Sequence, residues 1–147
     1  MKAKNKSWEQ KLIDSFKEVK SKDIKADSDN NFNCRSKTKA DVQYTDLKGI
    51  DWFIEAKSFN SPDKHNGFHK IFGELLKMAQ FAENSENAHF GILIDDENFL
   101  QNHLESCSKG KLHAFGKIFD DKITVFIFSN GKLKEQSWES FIQKINH

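Results

Sequence analysis

Apolar positions in this chain change their spacing several times, and each change marks an element. Trp8, Leu12, Phe16 and Val19 follow Ser7 three or four residues apart with mostly polar residues between them, the period of an amphipathic helix. A serine oxygen caps the free amides of a first turn, so a helix is expected from Ser7 to Ser21. The stretch Asp23 to Asn33 is rich in Asp, Asn and Ser, whose side chains compete for their own backbone and favour turns. It reads as a loop ending in an edge strand near Phe32 to Ser36. Lys39 to Thr45 alternates weakly and leads into the turn-forming Asp46-Leu47-Lys48-Gly49, and Trp52 to Lys57 then completes a hairpin.

After a polar loop holding the only proline, Pro62, the positions Phe68, Ile71, Phe72, Leu75, Ala79 and Ala82 return to helical spacing. That long helix should lay its apolar face over the hairpin. His89 to Ile94 is a short apolar run bounded by Asn87 and Asp95, the mark of a strand covered on both faces, and a strand reached through a helix is expected to be parallel. Residues near Asp96 to Ser106 read as a short helix, Ile123 to Phe128 as a buried strand, and Ser137 to Ile145 as a terminal helix. The expected order is α-β-β-β-α-β followed by α-β-α: an α/β fold with a mixed central sheet flanked by helices. No internal repeat or low-complexity segment interrupts it.

A length of 147 residues accommodates one such core and not two, so residues 1–147 read as a single domain. Apolar residues make up 37% of the chain and aromatics 12%, enough to offset chain entropy in a globular fold. The formal charge of +1 excludes a binder that works by bulk positive charge, which needs many uncompensated Lys or Arg. Any affinity for nucleic acid must come from local patches. Met1 to Ser7 lacks the apolar stretch of an export signal, and no run of roughly 18 apolar residues exists to cross a membrane. Two cysteines, Cys34 and Cys107, are too few for a disulfide framework. A soluble, cytoplasmic protein without membrane partners is expected.

The tripeptide acid-x-Lys occurs at Glu9, Glu18, Asp23, Asp46, Glu55 and Asp120, so its presence alone means little. Only the copy at Glu55 lies inside a convincing strand, where a period of two puts Glu55 and Lys57 on one face and Ile54 and Ala56 on the other. The hairpin turning at Gly49 can bring Asp41, on the preceding strand, against Glu55. Two carboxylates held together require either a raised pKa or a cation between them. Mg²⁺ or Mn²⁺ is the expected answer, held by Asp41, Glu55 and the Ala56 carbonyl. A metal so placed polarises a phosphodiester and lowers the pKa of bound water. Lys57 beside it would orient or deprotonate that water, or offset charge on phosphate.

Asp41 on one strand and Glu55-Ala56-Lys57 on the next, after one helix and before another, resemble the PD-(D/E)XK nuclease superfamily, which includes restriction endonucleases and Holliday-junction resolvases. The resemblance covers about Trp8 to Ile94 and implies the shared α-β-β-β-α-β core, with metal-dependent endonuclease activity on DNA. It also implies that Glu9 serves as a further metal ligand, and that Glu74 or Gln80 fills the polar position many members place near the active site. Ala40 stands where the family name has proline, a change that leaves the catalytic set intact.

Arg35, Lys37 and Lys39 share the parity of Asp41 and, if extended, would line a strip that positions phosphates, or would serve only as a solvated edge that resists aggregation. Lys109, Lys111, Lys132 and Lys134 read as ordinary solvated charges. His65 and His69 are four apart, a zinc-compatible spacing, but no Glu lies between them and no third ligand is evident. His103 with Cys107 shares that weakness. One site cuts one strand, so duplex cleavage by so small a body would be easiest as a homodimer. Two other readings stay open: a noncatalytic subunit of the same fold that binds nucleic acid or assembles, and an RNA-cleaving effector or toxin using the same metal site.

Overall fold

The computed structural model describes residues 7–24, 40–60, 64–81 and 87–145, the side chains of 64–69, 80 and 81 excepted. Its elements are α1 (Trp8–Lys20), β1 (Val42–Thr45), β2 (Asp51–Lys57), α2 (Lys64–Phe81), β3 (Ala88–Ile94), α3 (Glu97–Leu104), α4 (Lys109–Ile118), β4 (Ile123–Ser129), β5 (Lys132–Ser137) and α5 (Trp138–Gln143). The edge strand expected near Phe32 to Ser36 lies outside the described residues, as do Cys34, Arg35, Lys37 and Lys39 and the side chains of His65, His69 and Gln80.

Five strands form one sheet in the order β1-β2-β3-β4-β5. The inner pairs β2-β3 and β3-β4 are parallel, and both outer pairs are antiparallel hairpins. The expected hairpin and the expected parallel crossover through α2 are both present. Alternation along the strands sorts side chains into two layers. Ile54, Ala56, Leu93 and Phe126 meet Leu12, Ile13 and Phe16 of α1 on one face. Phe53, Phe90, Ile92, Val125 and Ile127 pack on the other with residues of α2 to α5, including Leu75, Leu100, Leu112 and Phe141. Among the described residues no helix is long and apolar enough to cross a membrane.

Helix α1 begins as its sequence dictates: Ser7 Oγ accepts a hydrogen bond from the Gln10 amide at 3.1 Å, satisfying one free donor of the first turn. Its buried stripe, however, is Leu12, Ile13, Phe16 and Lys20. At 100° per residue that stripe is rotated toward Ile13, which leaves Trp8 and Val19 on its edge, both exposed.

Two elements differ from the expected order. Where one short helix was expected between the buried strands, there are two, because α4 forms despite Gly110 and Gly116, residues that lower helix propensity. Tertiary packing overrides that cost: a Cβ on Gly116 would stand 2.8 Å from Trp138 Cδ1, and Trp138 Nε1 donates to the Leu112 carbonyl at 2.8 Å. The second is β5, a strand the hydrophobic pattern does not predict. Half of its six residues are charged and most are exposed, as suits an edge strand. The turn before it is Asn130-Gly131 with φ of 53° and 75°, the dipeptide favoured in tight hairpins.

Candidate active site

In β2, Ile54 and Ala56 point into the α1 layer, so Glu55 faces the other way. The antiparallel register pairs Val42 with Ile54 and Gln43 with Phe53, and one step further from the turn it sets Asp41 opposite Glu55. Asp41 is fixed there by its Oδ2, which accepts the Ala56 amide at 2.9 Å. The hairpin thus brings the two carboxyl groups together, and a hydrogen bond between their side chains joins them.

Glu55 is only 7% exposed, and its Oε2 has no hydrogen-bond partner among the described residues. Burial strips water from its carboxylate and holds it well above the usual range; the charge of Asp41 and their shared hydrogen bond push the same way, and Glu74 and Glu9 add repulsion. A carboxyl so placed costs stability unless something compensates it. Such groups concentrate at functional sites.

Three more charged residues converge on this pair. Lys57, at the end of β2, has its Nζ 3.7 Å from Glu9 Oε1, so α1 reaches the site from the opposite layer. Glu9 is raised by burial first and by Asp41 second, against the pull of Lys57 and Lys70. Glu74, on α2, is close enough to Glu55 to oppose its ionisation, and pairs with Lys77 at 3.8 Å. Asp41, Glu55, Lys57, Glu9 and Glu74 therefore form one cluster.

Sequence reasoning missed Lys70, which acts electrostatically on Glu9. Its signal was position, since it lies four residues before Glu74 and so on the same face of α2. It also missed a clasp at the strand ends. Asp95, just past β3, accepts from Ser58 Oγ, from the Phe59 amide at 2.8 Å and from Asn60 Nδ2 at 2.9 Å. That ties the chain leaving Lys57 to the neighbouring parallel strand. The other acids near the hairpin are occupied in shaping it: Asp46 accepts the Lys48 and Ile50 amides and Trp52 Nε1, while Asp51 accepts from Thr45 Oγ1 at 2.6 Å. Burial works to raise Asp46, but these hydrogen bonds outweigh it and hold the group below its ordinary value.

Among the described residues no three His, Cys, Asp or Glu side chains form a cage for a metal ion. Mg²⁺ does not need one, since it takes one or two carboxylates and completes its octahedron with water and substrate phosphate. The Asp41–Glu55 pair, with its unpartnered oxygen and its mutual repulsion, has the chemistry to hold such an ion. His103 is engaged within its own helix, its Nδ1 lying 3.0 Å from the Phe99 carbonyl. A cleft of about 720 Å³ is lined by Phe72, Leu76, Leu112, Phe115 and Trp138 among others and includes none of the clustered carboxylates. No protein-family model matches the chain, and neither the curated proteins nor the solved structures contain a match to it.

Proposed function

We propose that the protein is a metal-dependent endonuclease of the PD-(D/E)XK kind that hydrolyses phosphodiesters in DNA. One observation carries the reading: a buried carboxyl, Glu55, faces a second, Asp41, across a hairpin, with Lys57 two residues further along the same strand. A fold that needed only stability would favour an apolar residue at position 55.

Asp41 and Glu55, with the Ala56 carbonyl, would hold Mg²⁺ or Mn²⁺. When bound, the ion supplies Lewis acidity toward the scissile phosphate and a more acidic water. The Ala56 amide keeps Asp41 aimed at the site. On binding, Glu55 would release its proton to solvent, and the charge of the ion would offset the repulsion between the two carboxylates. Lys57, steadied by Glu9, sets positive charge where the phosphate gains negative charge and where the attacking water must be oriented. Glu9 and Glu74 extend the acidic cluster.

The test is cleavage of plasmid, single-stranded DNA, a four-way junction and RNA with Mg²⁺, Mn²⁺ or EDTA. Cleavage should require the metal and fall by at least about a hundredfold in Asp41→Ala, Glu55→Ala and Lys57→Ala. Binding without cleavage, unchanged by Glu55→Ala, would instead assign the protein as a binding or assembly subunit. Cleavage confined to RNA would assign it as an RNA-directed effector.

A further inference from the structure

Trp8 is 52% exposed although indole is the largest apolar side chain the chain possesses. It stands one residue before Glu9, whose carboxylate meets Lys57 of the candidate active site. Lys11 Nζ lies 4.9 Å from the centre of its ring, so a cation steadies it without burying it. From α2, Lys70 acts on the neighbouring Glu9, so positive charge reaches this end of α1 from a second helix. An exposed indole with an ammonium group at its ring is the chemistry that stacks on a nucleobase and meets a backbone phosphate, and it does so without regard to which base is present. A base inside a duplex has both faces covered by its neighbours, so only an unpaired base can take up that contact.

We propose that Trp8 is a base-stacking platform beside the active site, and that the protein therefore prefers single-stranded DNA, or a locally unpaired segment in frayed or branched DNA, over continuous duplex. The inference rests on the nuclease reading for the identity of the substrate, but it is tested by binding rather than by cleavage.

The experiment measures dissociation constants for a labelled short single-stranded DNA and for the matching duplex, by anisotropy with Mg²⁺, on the full chain carrying Asp41→Ala to prevent cleavage. Adding Trp8→Ala should weaken single-strand binding roughly 5- to 150-fold and change duplex binding less than about twofold. Trp8→Phe keeps an aromatic face and should restore a substantial part of the loss. Equal losses on both substrates, no loss on either, or no rescue by phenylalanine overturns the platform. Tighter, Trp8-dependent binding of the same sequence as RNA overturns the assignment to DNA. Wild-type cleavage indifferent to Trp8 would leave the nuclease reading standing and remove this one. Trp8-dependent single-strand binding by a protein that cleaves nothing would do the reverse.

Discussion

Glu55 cannot ionise in the folded chain without working against both its burial and Asp41. Its folded pKa is raised above the ordinary value of 4.5, so between the two the folded state keeps a proton that the unfolded state has released. Its stabilising contribution is therefore complete below the unfolded pKa and is lost progressively as pH rises toward the folded one. Glutamine has the same shape and no proton to lose. With EDTA present, Glu55→Gln should be more stable than the native chain by about 1–3 kcal/mol near pH 8, with the advantage fading toward about pH 5. Denaturant unfolding at the two pH values checks this, and an advantage that did not grow with pH would remove Glu55 as a source of stored conflict. Lys57 has an opposite charge within reach, Glu9 Oε1 at 3.7 Å.

At the scale of elements, the site depends on a sheet whose faces are sealed closely enough to fix the register of β1 on β2. Gly91, in the middle of β3, shows how closely. A Cβ there would lie 2.7 Å from Phe126 Cε2 and 2.8 Å from Ile54 Cγ1, side chains that belong to the layer under α1. Gly91→Ala should destabilise the fold by about 1–3 kcal/mol through overpacking, read as a lower denaturant midpoint with little change in slope. An unchanged midpoint would mean that the layer yields more easily than its packing implies. At the far end of the hairpin the three hydrogen bonds to Asp46, together with Gly49 at φ 84°, set the turn. The turn in its turn sets which residue faces Glu55, because a slip of one position would send Asp41 to the opposite face.

For the molecule as a whole, a cation that relieves the Asp41–Glu55 conflict must also stabilise the fold, since the unfolded chain has no such pair. Native protein should gain about 2.7 kcal/mol at Mg²⁺ a hundredfold above its Kd, seen as a rising Tm, and Asp41→Ala with Glu55→Ala together should abolish the gain. The same rise in the doubly substituted chain would mean that the ion binds elsewhere. Much of the architecture is legible in the pattern of residues: Ser7 and its helical stripe, the hairpin around Gly49, the apolar run of β3 and the acid-x-Lys copy inside a strand each follow from local period and turn chemistry. Helix α4 was not legible, because two glycines argue against it and only Trp138 and the core make it favourable. Edge strand β5 was signalled by Asn130-Gly131, but its charged residues concealed it. Sequence by itself determined which residues carry the acids and the lysine, and on which face of β2 they lie, because a strand's period of two is a local property. Only the tertiary structure decided that Glu9 from α1 and Glu74 from α2 join them, and that Trp8 stays in solvent, because helix rotation and distance across layers are set by packing between segments far apart in the chain.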